Sequence, residues 1–196
     1  MNEEIIELKA DAEELQRQYE ADPTGESAAA CLNGLIGLLC GDIDTPCLDK
    51  ETVMFFYEIF YGIYRKNPDN TAIAACYAKG IDILYDAYEG EYNDDYEYGM
   101  KREQLQFFME KLRVLYEENP NSGEVAEIYV HRLYFDKIGS DVQKNEAMLE
   151  KIRSLYLNNQ NNDTVIGYYA DAIQNMFTFM CLTKRKRGFC LTKKRF

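Results

Sequence analysis

Residues 115–133, LYEENPNSGEVAEIYVHRL, decide the fold. One apolar stripe ends at Tyr116, the chain turns through Asn119, Pro120, Asn121 and Ser122, and a second stripe begins at Val125. Proline cannot prolong the first helix, because it lacks the amide proton and its ring clashes with the preceding turn. A Ser, Thr, Asn or Asp after it caps the next helix. The stretch reads as helix, turn, helix.

With Tyr116 as anchor, the same arrangement surrounds Tyr19, Tyr64 and Tyr156. Four residues after each anchor stand Pro23, Pro68, Pro120 and Gln160, within the polar turns ADPTGES, KNPDNTA, ENPNSGE and NNQNNDT. Nine and ten residues after it come Ala28 and Ala29, Ile73 and Ala74, Val125 and Ala126, Val165 and Ile166. Thirteen after it come Leu32, Tyr77, Tyr129 and Tyr169, and seventeen after it Ile36, Ile81, Leu133 and Ile173. Upstream, Leu15, Phe60, Leu112 and Ile152 precede the anchors by four residues, and Phe56, Phe108 and Met148 precede the last three by eight. Steps of three and four are the period of an apolar helix face.

The anchors stand 45, 52 and 40 residues apart, so length changes fall in the other set of connections: GDIDTPCLDKE, YDAYEGEYNDDYEYG and KIGSDVQKN. This predicts an all-α chain of four hairpins, with helices near 2–20, 25–40, 49–66, 70–87, 100–118, 122–137, 141–158 and 163–180. One pair cannot bury its own apolar face, and stacking neighbours does so. Asp11 stands where later copies carry Phe or Met, which suits a solvent-facing first helix. A helical bundle is the other way to arrange the same eight helices.

At 196 residues and 46% hydrophobic composition, the chain is long enough and apolar enough to build a core. The N-terminus, MNEEIIELKADAEELQRQYE, lacks the basic start and apolar run of a secretory signal. The most apolar run, TVMFFYEIFYGIY, is too short to span a bilayer and contains Glu58. Six cysteines without an export signal imply reduced thiols and a cytoplasmic setting. No CxxC pair occurs and His131 is the sole histidine, so no metal site is expected and the cysteines read as small buried hydrophobes.

Proline after a helix, an alanine-rich second element and a tyrosine one helical face later together resemble the tetratricopeptide repeat (TPR), in divergent form, over residues 1 to about 180. The periods exceed the TPR length of about 34 residues. Tryptophan is absent, and the usual small glycine position holds Asn33, Ala78, Val130 and Ala170. The resemblance implies an α–α superhelix that binds a peptide or helix of a partner in a groove and does no chemistry. Ala30, Gly34, Ala75, Lys79, Glu127 and His131 take the groove positions, and that mixture is not the lysine and asparagine clamp that holds a partner's C-terminal carboxylate.

No catalytic residue or cofactor is expected. The chain has no glycine-rich phosphate loop, no GxSxG and no HExxH, and His131 has no recognisable nucleophile beside it in sequence. Among 34 acids, paired carboxylates carry little information.

Two segments lie outside the repeat. Residues 86–98, DAYEGEYNDDYEY, read either as a solvated loop or as a docking site for a basic peptide. In the second reading Asp86, Glu89, Glu91, Asp94, Asp95 and Glu97 supply charge, and Tyr88, Tyr92, Tyr96 and Tyr98 supply ring faces for Lys and Arg. Residues 181–196, CLTKRKRGFCLTKKRF, carry seven bases (Lys184, Arg185, Lys186, Arg187, Lys193, Lys194, Arg195) and no acid, leaving 15 bases against 34 acids elsewhere. This tail reads first as a disordered end or reading-frame scar, next as a segment folded back on the acidic body, and third as a contact for nucleic acid or an anionic membrane, helped by Phe189 and Phe196. The sequence thus points to a protein-interaction scaffold for a basic or amphipathic segment, with a nucleic-acid-associated adaptor working through the tail as the alternative.

Overall fold

The computed structural model describes residues 3–40, 48–89, 98–136 and 142–192, which form eight helices. They are α1 (Glu3–Ala21), α2 (Gly25–Leu39), α3 (Lys50–Lys66), α4 (Thr71–Glu89), α5 (Tyr98–Glu118), α6 (Gly123–Asp136), α7 (Val142–Asn158) and α8 (Asp163–Thr192). Most boundaries fall within one or two residues of those read from the repeat. The exception is the end of α8, which runs to Thr192 rather than stopping near 180, so the start of the tail read as disordered has a helical backbone. No proline or capping turn interrupts that stretch, and a lone Gly188 costs a helix only about 1 kcal/mol.

The chain divides into two compact units, Met1–Tyr129 and Val130–Phe196. In the first, α1 packs on α2 and α3 on α4; α1 also meets α3, and α2 meets α4. First helix thus meets first helix and second meets second across the first two hairpins, α2 also meets α3, and α5 of the third hairpin packs on α4. In the second unit α7 packs on α8.

Burial follows the repeat. Ala28, Ile73, Val125 and Val165, nine residues past the four anchors, are each fully buried, as are Phe60, Leu112 and Ile152 four residues before them. The tyrosines thirteen residues apart meet: Tyr64 stacks on Tyr77 at 4.8 Å and Tyr156 on Tyr169 at 4.7 Å, and Tyr116 tilts against Tyr129 at 5.7 Å between ring centres. Each such pair is worth roughly 0.5–1.5 kcal/mol beyond the area it buries.

The turn itself is built by asparagine. Asn67, Asn119 and Asn159 stand three residues past their anchors, and each side-chain amide donates back to the carbonyl four residues earlier: Ile63 at 2.9 Å, Leu115 at 3.1 Å and Leu155 at 2.9 Å. Carbonyls at a helix end lack part of their intrahelical bonding, and that of Leu115 accepts from the Asn119 backbone amide as well. Asn70, Ser122 and Asn162 then cap the next helix by accepting from the amides of Ile73, Val125 and Val165. In the first joint a reciprocal box between Thr24 and Ser27 performs the capping. The fourth joint has Gln160 in place of proline and keeps the same bonds, so asparagine is common to the last three joints, where the first has Asp22.

Two of these asparagines also tie one hairpin to the next. Asn67 also donates to the hydroxyl of Tyr19 at 3.2 Å, and Asn119 to that of Tyr64 at 3.1 Å. The Tyr64 hydroxyl in turn donates to Glu118 at 2.8 Å.

Burial, with the Glu118 carboxylate beside it, pushes the Tyr64 phenol up to about 12; burial does the same for Tyr129, and it raises Tyr77 as well. The unfolded chain ionises these groups near pH 10 while the folded chain resists. Their stabilising contribution is whole below pH 10 and is lost as pH climbs toward 12. Alkaline titration followed by tyrosinate absorbance and circular dichroism should show one cooperative, delayed ionisation coincident with loss of helix. Gradual ionisation near pH 10 with the helices intact would show these hydroxyls to be solvated.

Candidate interaction face on the second helices

Lining a groove requires a second-helix residue to project away from the first-helix layer, and the six candidate positions do not all do so. Ala30 and Lys79 are exposed, and Glu127 is half-buried. Ala75 is only 2% exposed and lines no surface. Gly34 is turned toward α1: a Cβ there would stand 3.0 Å from the Leu15 side chain, so the glycine serves helix–helix approach. These two positions are corrected, because a repeat offset fixes a residue's angle around its helix only to within a turn's scatter.

Asn33 and Cys76 join Lys79 on this face of the first unit. The Cys76 thiol lies 3.7 Å from the Asn33 side-chain oxygen, linking α2 to α4. Burial raises the Cys76 thiol's pKa, Lys79 offsets part of that, and Glu124 of α6 adds to it, so both charges stand within electrostatic reach of the sulfur. A thiol kept protonated in this way is a poor nucleophile.

In the second unit, His131 meets Tyr168 edge-on at 5.8 Å, and Tyr134 tilts against the same ring at 5.2 Å. Asn175 donates to the Tyr134 hydroxyl at 2.6 Å. The three rings are half-buried. Tyr134, Tyr168 and Asn175 were missed in the sequence because they occupy no repeated offset. Only Tyr168 left a signal, an aromatic residue where the other copies carry Cys31, Cys76 and Ile128; Tyr134 stands where they carry Gly37, Asp82 and Gln174.

On the first-helix layer a shallow, open depression of about 420 Å³ is lined by Gln16, Met54, Phe55, Glu58 and Ile59. Its lining has a single titratable group, Glu58. Among the described residues no three metal-ligating side chains come together, and no helix is long and apolar enough to cross a membrane.

Of the acidic segment, Asp86 is exposed near the end of α4, Tyr88 and Glu89 complete that helix, and Tyr98 opens α5. Glu91, Tyr92, Asp94, Asp95, Tyr96 and Glu97 lie outside the described residues. In the tail, Lys184, Arg185, Lys186 and Arg187 are on the α8 backbone, and Lys193, Lys194 and Arg195 lie outside.

Fold and face together define an all-α protein of eight helices packed in sequential pairs. Comparison with protein-family models, curated proteins and solved structures finds no match for the chain.

Proposed function

We propose that this chain is a non-catalytic interaction module, a divergent TPR-like array that holds a peptide or helical segment of a partner protein on its second-helix face. The observation that carries the reading is the His131, Tyr134 and Tyr168 cluster with Asn175 at its edge. Half-buried rings with polar tips give rigid contact area at low entropic cost, and Tyr is enriched at recognition surfaces for that reason. A net charge of −12 and the ring faces favour a basic or amphipathic segment over an acidic one.

Affinity capture from native lysate tests this with three baits: the full chain, Tyr134→Ala/Tyr168→Ala, and a variant with Lys184, Arg185, Lys186 and Arg187 changed to Gln. The reading expects one discrete protein, retained after nuclease by the first and third baits and lost by the second. Retention that depends on the four bases and disappears with nuclease would replace it by a nucleic-acid-associated adaptor acting through the basic stretch. Such binding would weaken steeply with salt.

A further inference from the structure

The last hairpin leaves bare a face that the second hairpin buries. On α4 the residues 10, 14, 17 and 21 past the anchor are Ala74, Ala78, Ile81 and Tyr85, exposed by 0%, 0%, 0% and 4%. This helix packs against α2, α3 and α5. At the same offsets on α8 stand Ile166, Ala170, Ile173 and Phe177, one apolar helical row. There Ile173 is 38% and Phe177 70% exposed. Large apolar side chains at i and i+4, both in water, are uncommon on a helix whose counterpart is covered.

Moreover α8 outruns its partner. It has 30 residues against 17 in α7, an excess of about 20 Å of helix at 1.5 Å per residue. From Ala172 to Thr192 the sequence contains no acid, and the overhang carries Lys184, Arg185, Lys186 and Arg187. A cover for this element must offer both apolar contact and negative charge.

One described helix has that composition on an open face. Within α1, EEIIELKADAEELQRQYEA, seven acids stand against two bases. Ile6 is 49% exposed, Ala10 one turn on is exposed, and Glu3, Glu7 and Glu14 surround them in water. Ile6 and Ala10 repeat the i, i+4 spacing of Ile173 and Phe177, with acids at their rim where α8 is followed by bases. It is also the helix that begins a hairpin, the kind of element that covers α4 in its own unit.

We propose that α1 of a second copy of this chain docks on the bare face of α8, so that copies associate head to tail. The contact is heterologous: the two surfaces differ, each copy carries both, and assembly continues past two unless it closes into a ring. Its apolar part should tolerate salt, and its charged rim should not.

Sedimentation velocity and light scattering of the full chain over a range of concentrations provide the test. At low salt the mean mass should rise above twice the 22.8 kDa of one chain, and it should fall in high salt. Ile173→Asp/Phe177→Asp should weaken self-association at least about tenfold, the loss expected from an interface anchor. Glu3→Lys/Ile6→Ser/Glu7→Lys should do the same, both variants keeping parental circular dichroism because the altered residues are open to solvent.

Mixing the two variants should then restore one contact and give a 1:1 pair that grows no further. A discrete dimer of the full chain that survives the α1 changes would instead assign the face to a two-fold α8 pairing and overturn the proposal. A monomer at every concentration, or a mixture that fails to pair, would overturn it as well.

Discussion

Phe60→Ala lowers the unfolding free energy by about 3–5 kcal/mol, the range for deleting a fully buried aromatic ring. Phe60 is 0% exposed on α3. Its ring lies against Gly80 of α4, where a Cβ would come within 2.6 Å of two ring carbons. With only hydrogen on that α-carbon, α4 has no side chain there to swing into the cavity, so little of the loss is recovered. The reciprocal change, Gly80→Ala, gains about 1 kcal/mol of helix propensity. It also forces a methyl into the ring, and overpacking of this kind costs about 1–3 kcal/mol, so net destabilisation is expected. Phe60→Leu/Gly80→Ala should be milder than the sum of its single changes, since the smaller side chain makes room for the methyl. Urea denaturation followed by circular dichroism measures all four proteins. A neutral or stabilising Gly80→Ala would mean that α3 and α4 stand further apart than described.

The second large effect is expected at Asn119, which is 9% exposed and whose amide serves both the Leu115 carbonyl and the Tyr64 hydroxyl. Alanine there removes two side-chain bonds and cuts the link between hairpins, at a cost of about 1–3 kcal/mol, while the Leu115 carbonyl keeps the backbone amide of residue 119. Asn119→Asp should cost more at neutral pH. A carboxylate cannot donate to either oxygen, and it stands next to the Glu118 carboxylate that already accepts from Tyr64.

The pH dependence of that variant has a definite sign. Like charge and lost donors raise the folded-state pKa of the introduced Asp above its unfolded value near 4. The folded state then holds the proton more tightly, so the penalty is smallest below pH 4 and grows as pH rises through the folded-state pKa. Unfolding curves at acid and neutral pH, referenced to the parent and to Asn119→Ala, separate this from a steric effect. A penalty equal at both pH values would sink the hydrogen-bond account. Tyr64→Phe should be partly redundant with Asn119→Ala, because the two side chains share one bond.

The architecture was legible because the anchors, the turns and the rows of apolar residues are local or periodic signals, and helices convert such signals directly into a face. The boundaries of α2, α3, α6 and α7 follow from caps and turn residues within a few positions. What holds the joints together was harder to read. Proline drew attention as a helix breaker, yet Asn67, Asn119 and Asn159 make the bonds, and their function depends on carbonyls and hydroxyls that only folding brings within 3.2 Å. The interaction face was read least well. Ala75 shared its offset with Ala30 and Gly34 with Lys79, but Ala75 is buried and Gly34 faces the Leu15 side chain of α1.

By itself, then, the sequence determined that this chain is a set of helix hairpins with tyrosine-anchored joints, because helical periodicity and capping act over a few residues. It also determined the separation of charge into an acidic first helix and a basic last stretch. Only the tertiary structure decided which of several equivalent rows is buried, since burial depends on which helix stands opposite. That is why Ile81 of α4 is fully covered while Ile173, at the same offset on α8, is 38% exposed.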